Sequence, residues 1–225
     1  MIPIRDENPT RRTPYVTVSL IAINSFVFIY QFLQPSEAQH WITYNFGAIP
    51  LLLVRDFNLL PQLPDHGLTL ITSMFLHGGI FHIAGNMLYL WIFGNNVEDY
   101  LGHGKFILFY LVCGIAAALT HTLTQITSPV PMIGASGAIS GILGAYVVLY
   151  PRARVVTMLW IFFFVRFVRI PAFIVLGIWF LMQLPGALGG QGGIAWFAHI
   201  GGFLFGLIFI RLWGGAPPRR QHFFG

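Results

Sequence analysis

The 225-residue chain is 56% hydrophobic and 16% aromatic but only 8% charged, with a mean hydropathy of +0.73. Soluble domains carry roughly 25% charged residues, so the composition excludes a water-soluble globular protein and predicts a multi-pass helical membrane protein. The net charge of +5 is read as a topology signal and not as an affinity for nucleic acid. A single cysteine, Cys113, excludes an intramolecular disulfide.

Met1 to Pro14 is polar, carries Arg5, Arg11 and Arg12, and lacks the pattern of a cleaved signal. It is expected to be a cytoplasmic tail. The first apolar span runs from Tyr15 to Gln34. The mixed, aromatic segment from Pro35 to about Leu68 reads as a loop lying in the membrane interface. Span two is predicted from about Gly79 to Asn95, and Asn95 to Lys105, with Glu98 and Asp99, as a polar turn. Span three follows over Phe106 to Ile126, and span four over Gly134 to Tyr150 after a short proline-containing loop.

Pro151 to Ile170 is aromatic yet holds Arg152, Arg154, Arg166 and Arg169. Arginine exposed to lipid at the bilayer centre is costly, so this stretch is placed at the cytoplasmic interface. Span five is predicted over Pro171 to Leu184, a glycine-rich loop over Pro185 to Gly193, and span six over Ile194 to Trp213. The fold expectation is therefore an all-α bundle of six transmembrane helices with both termini cytoplasmic. One membrane domain spans 15–213 between tails at 1–14 and 214–225. With the termini inside, Arg55 is the only one of the twelve Lys and Arg residues left outside, as the bias of basic residues toward the cytoplasm requires.

Polar groups inside a membrane are functional hypotheses by default. Ser136 lies at the outer start of span four among Gly134, Gly137, Gly141 and Gly144, small residues that let helices approach to backbone contact. His199 lies at a similar depth in span six. His82 and Asn86 in span two are spaced i, i+4 and share one helix face. A hydroxyl becomes a useful nucleophile when a neutral imidazole takes its proton. The oxyanion then needs donors, which the His82 and Asn86 side chains and backbone N–H groups at the start of span four can supply.

Each of these residues also has an ordinary reading. His199 could pack, Asn86 could bond between helices, and Ser136 could bond a carbonyl one turn back. Their coincidence at one depth favours chemistry. The seven acidic residues all fall away from the outer halves of the spans, which argues for a Ser-His dyad over a triad and against a paired-carboxylate protease. No H-E-x-x-H motif is present, and the remaining histidines show no ligand spacing, so neither metal nor cofactor is expected.

In these residues the chain resembles the rhomboid intramembrane serine proteases. The resemblance rests on His77-x4-His82-x3-Asn86, Gly134-x-Ser136-Gly137 and Ala198-His199-x2-Gly202-x3-Gly206. Phe46-Gly47-Ala48-Ile49-Pro50 and Glu98 with Gly102 are similar to further family features. The resemblance implies Ser136 as nucleophile, His199 as general base, and His82, Asn86 and the Ser136 backbone N–H as oxyanion donors. It also implies Gly202 and Gly206 as the small face packing span six against span four, and the Pro185–Gly193 loop as a flexible cap. Many members carry a Trp-Arg pair before span two, where this chain reads Asp65-His66-Gly67. The implied partners are transmembrane protein substrates within a lipid bilayer, expected to be a bacterial inner membrane. Two rivals remain: a non-catalytic relative that binds transmembrane helices, and a small transporter with a polar midplane site.

Overall fold

A computed structural model describes residues 1–58, 66–161, 163–189 and 193–213. The apolar runs form helices. α1 covers Tyr15–Phe32, α7 covers His103–Thr124 and α11 covers Trp196–Trp213, each long and apolar enough to cross a membrane. α5 (Ile80–Tyr89) continues through a π-helical turn at Leu90–Gly94 into α6 (Asn95–Leu101). Before it, α4 (Thr69–Thr72) lies between two 3-10 turns, and this segment meets α5 at a bend of 84°. With the bent pair counted once, four spans pass on length and composition. α8 (Ser136–Leu149), α9 (Ala172–Leu181) and α10 (Gln183–Leu188) are apolar but shorter.

Several expectations need correction. The chain is not all-α. β1 (Ile2–Asp6), β2 (Arg154–Ile161) and β3 (Phe164–Pro171) form one antiparallel sheet in the order β1-β2-β3. β-branched and aromatic residues dominate the hairpin, and such residues fit a pleated surface better than a helix. Met158 pairs with Ile2 on one side and Phe167 on the other. The first fourteen residues are accordingly no free tail, since β1 completes the sheet. Second, the segment after α1 is helical, as α2 (Ser36–Phe46) and α3 (Pro50–Asn58). Third, the helix of span two runs on to Leu101, so Glu98 lies in a helix and not in a turn. The first part of the expected glycine-rich cap is likewise helical, as α10. Asp65, the centre of that cap (190–192) and the tail at 214–225 lie outside the described residues.

Glu98 is fully buried, and its burial is explained by the start of α1. Pro14 offers that helix no side-chain cap. Glu98 Oε1 instead accepts from the Val16 N–H at 2.9 Å, and Oε2 accepts from the Thr17 N–H and hydroxyl at 2.7 Å each. A carboxylate from another helix thus satisfies the orphan amides and sits at the positive end of the helix dipole. Around it the N-terminal segment is tied down: Tyr146 donates to Asp6 at 2.7 Å, Arg169 to Glu7 at 2.7 Å, and Asn8 to Asn96.

The core lies between α7, α8 and α11. Tyr110, Tyr146, Phe93, Phe106 and Phe109 are fully buried there, with Phe109 stacked on Phe209 at 5.7 Å. α8 and α11 approach to backbone contact. A Cβ added at Gly202 would lie 2.2 Å from the Gly137 carbonyl oxygen, and one at Gly206 would lie 2.1 Å from that of Gly141. At Gly137 it would lie 2.7 Å from the Ala117 side chain. This close approach of α8 and α11 fixes where their first turns meet.

Candidate active site

The starts of α5, α8 and α11 converge at the end of the bundle opposite the sheet. Ser136 is the first residue of α8, and His199 lies in the first turn of α11. His199 Nε2 lies 2.8 Å from Ser136 Oγ, the geometry in which a hydroxyl donates to an imidazole that can receive its proton. The alternative use of the Ser136 hydroxyl, back-bonding along its own helix, is not what is seen. That arrangement belongs to Ser140, whose hydroxyl donates to the Ser136 carbonyl at 2.6 Å.

Backbone conformation at Gly134 opens the space beside Ser136. Its φ is +123°, a region that disfavours L side chains, and its N–H donates to the Ser73 carbonyl at 2.9 Å. A Cβ at this position would lie 2.7 Å from His82 Nε2 and 3.6 Å from Ser136 Oγ. The missing side chain thus leaves room for a small group bordered by both. The Gly78 N–H donates to His82 Nδ1 at 3.3 Å, so in the neutral ring the hydrogen sits on Nε2, on the side of that space. The His82 ring packs edge-on against His77, their centroids 5.1 Å apart.

Asn86 follows one turn after His82 and is buried, with its Nδ2 donor unpaired among the described residues. A buried amide donor without a partner is costly to leave unmade, and here it borders the open volume. That volume is a cavity of about 690 Å³ whose walls include His82, Asn86, Gly134, Ser136, Gln183 and His199. The first-turn amides of α8 have no partner within the helix itself. Together these groups can accept a proton from a hydroxyl and surround a developing negative charge with donors.

All four polar residues singled out from sequence are therefore brought to one cavity. Gly134 and Gly137 border it, while Gly202 and Gly206 hold α11 against α8 below it. Sequence reasoning missed Gln183, which is buried and places its amide oxygen 2.9 Å from His199 Nδ1. The signal was present: Gln183 is the one polar side chain between Pro171 and Pro185. Trp179 and Trp196, each with a ring centroid 6.1 Å from that of His199, complete its surroundings. Among the described residues, no group of three or more His, Cys, Asp or Glu side chains is placed to hold a metal ion.

These features define a mostly helical membrane protein with a serine-histidine pair at one end of its bundle. The family model for the Rhomboid domain matches residues 64–215, and the chain belongs to the rhomboid family. It is 31% identical over 207 residues to the mitochondrial presenilin-associated rhomboid-like protein of Bos taurus, covering 88% of this chain and 50% of that one. It is 47% identical over 85 residues to rhomboid protease GluP of Bacillus subtilis, covering 37% of this chain and 16% of the relative. The mitochondrial rhomboid protein 1 of Saccharomyces cerevisiae is 30% identical over 152 residues, which are 63% of this chain and 40% of that protein. The chain thus spans half or less of the length of these relatives. Two of the three are mitochondrial, so the comparisons do not select the bacterial membrane expected from sequence.

Proposed function

We propose that this protein is an intramembrane serine endopeptidase that cleaves transmembrane segments of other membrane proteins through a Ser136–His199 dyad. The single observation that carries the reading is the 2.8 Å contact between His199 Nε2 and Ser136 Oγ beside an open cavity. Ser136 attacks the scissile carbonyl while its proton passes to His199. The oxyanion takes hydrogen bonds from Asn86 Nδ2, the His82 Nε2–H and the Ser136 backbone N–H. His199 then returns the proton to the leaving amine, and water hydrolyses the acyl-enzyme by the same route. A peptide bond inside a helix has its carbonyl engaged, so the substrate must unwind locally before attack. The similarity to the Bacillus subtilis rhomboid protease GluP supports this reading.

The reading includes six spans with both termini cytoplasmic. α8 then crosses as a short span: its 14 residues cover about 21 Å at 1.5 Å per residue, against a hydrocarbon core of about 30 Å. With its last turn held at the sheet, its first residue, Ser136, starts several ångströms below the opposite surface, and the cavity gives water a route to it. Arg5, Arg154, Arg169 and Arg211 all fall toward the sheet end and Arg55 toward the other, the distribution expected of a cytoplasmic sheet.

The test is labelling of purified protein by a fluorophosphonate, together with cleavage of a single-pass transmembrane substrate. Wild type is expected to label and cleave, and Ser136→Ala and His199→Ala to do neither. Labelling that persists in Ser136→Ala would place the nucleophile elsewhere. A folded wild type that neither labels nor cleaves would favour a non-catalytic helix-binding relative.

A further inference from the structure

Gln183 makes two hydrogen bonds of opposite sense, and together they bear on the position of a proton on its partner His199. It is the first residue of α10, just after α9 ends at Leu181, and only 5% of its surface is exposed. Its Nε2 donates to the carbonyl of Trp179, one turn back, at 2.6 Å, and its Oε1 lies 2.9 Å from His199 Nδ1. A primary amide is polar end to end, its nitrogen only donating and its oxygen only accepting. Reversing it would bring two acceptor oxygens to 2.6 Å across the Trp179 carbonyl, so the backbone fixes which end faces the histidine.

The end facing His199 is therefore an acceptor, and Nδ1 must carry a hydrogen. A neutral imidazole has one such hydrogen. Nε2 is then left with its lone pair, and Nε2 is the atom 2.8 Å from Ser136 Oγ. The serine hydroxyl must donate to it.

We propose that Gln183 is a positioning residue, which with the Trp179 carbonyl holds His199 in the Nδ1–H tautomer and so makes Nε2 the acceptor for the Ser136 proton. The inference rests on the serine-protease reading for its consequence, but its structural content stands without catalysis. Gln183 approaches the ring from the side opposite Ser136 and reaches the hydroxyl only through His199. When His199 takes the serine proton, both ring nitrogens donate, and the Gln183 oxygen faces a cation with its dipole. That role belongs to a carboxylate in a Ser-His-Asp triad. A neutral acceptor orients the ring without adding charge to an apolar wall in which an unpaired carboxylate would be costly.

Two measurements test it, on wild type, Gln183→Leu and Gln183→Glu in detergent, with melting temperature checking that each is folded. The first is the nitrogen spectrum of 15N-histidine-labelled protein near neutral pH, His199 being assigned by the signal lost in His199→Gln. Wild type is expected in the Nδ1–H tautomer and Gln183→Leu in a mixture. A wild-type Nε2–H tautomer, or a Gln183→Leu spectrum identical to wild type, would overturn the proposal whether or not the protein is a protease.

The second is the rate of fluorophosphonate labelling and substrate cleavage against pH. Hydrogen-bond partners that orient a metal-ligating histidine contribute about 10–100-fold, and a similar factor is expected for the orientation of His199. Gln183→Leu is expected to lose that much in kcat with KM little changed. Gln183→Glu should recover most of the rate and, by favouring the charged ring, move the acid limb of the profile to higher pH. A folded Gln183→Leu with labelling within twofold of wild type would refute the positioning role. If folded wild type itself does not label or cleave while showing the Nδ1–H tautomer, the protease reading fails and the assignment of the proton stands.

Discussion

Gly202→Ala separates the packing of α11 from the chemistry it supports. The added Cβ would lie 2.2 Å from the Gly137 carbonyl oxygen and 3.2 Å from the Ala117 Cβ. An ordinary carbon–oxygen contact is about 3.3 Å or longer, so α11 must retreat from α8 by about 1 Å. No rotamer change can relieve the strain, because the obstructing atom is backbone. Overpacking of this kind costs about 1–3 kcal/mol, and the helix gains back up to about 1 kcal/mol when Gly becomes Ala. A net loss of about 1–2 kcal/mol follows.

The displacement acts one turn from His199. Added to the 2.8 Å Ser136–His199 contact, about 1 Å takes the pair beyond hydrogen-bond range, and a misplacement of that size can cost on the order of 100-fold in rate. The assay is thermal unfolding with a thiol-reactive fluorophore. The chain has one cysteine, Cys113, buried on α7 where a Cβ at Gly141 would meet it at 2.5 Å. The signal therefore reports the opening of the α7–α8 interface. The melting temperature is expected to fall by about 2–8 °C, at 2–4 °C per kcal/mol for a chain of this size, with fluorophosphonate labelling reduced far more than the folded fraction. Gly177→Ala is the control, since among the described residues nothing lies within 4 Å of its added Cβ. Wild-type melting and labelling in Gly202→Ala would refute the argument that this contact sets the site.

Asn86→Ala removes the Nδ2 that borders the cavity and has no partner among the described residues. Loss of one oxyanion donor costs on the order of 10²–10³ in kcat, with KM little changed. Steady-state cleavage should show this, and a change confined to KM would assign Asn86 to binding instead. Asp6, on β1 outside the spans, carries a pH dependence. Burial raises its pKa from 3.8 to about 6, opposed by the hydrogen bond from Tyr146. The folded state thus holds its proton to higher pH than the unfolded chain. Stability from this group is present below pH 4, is lost as pH rises toward 6, and is level above that. Asp6→Asn is expected to flatten melting temperature between pH 4 and 6 and to raise it above pH 6. An unchanged slope would mean that another group titrates there.

Much of the site was legible in the sequence because its residues violate the pattern around them. A serine, two histidines and an asparagine stand in runs otherwise fit for lipid, and the i, i+4 spacing of His82 and Asn86 gives them one face. Glycines at Gly137, Gly202 and Gly206 likewise advertise close helix contact. Residues whose meaning depends on partners far along the chain were harder to read. Gln183 reads as one polar group near a helix end until His199 is placed beside it, and Glu98 reads as part of a polar turn until α1 sets its amides against it.

Composition and the length of the apolar runs determined that the chain enters a membrane as helices, because burying apolar surface in lipid requires nothing but local sequence. The tertiary structure alone decided the sheet. β1 and the β2–β3 hairpin are separated by more than a hundred residues, and a composition that favours extended backbone does not say which partner satisfies its backbone groups. The same is true of the proton on His199: its position follows from the Trp179 carbonyl acting through Gln183, a chain of hydrogen bonds that exists only once α9, α10 and α11 are packed together.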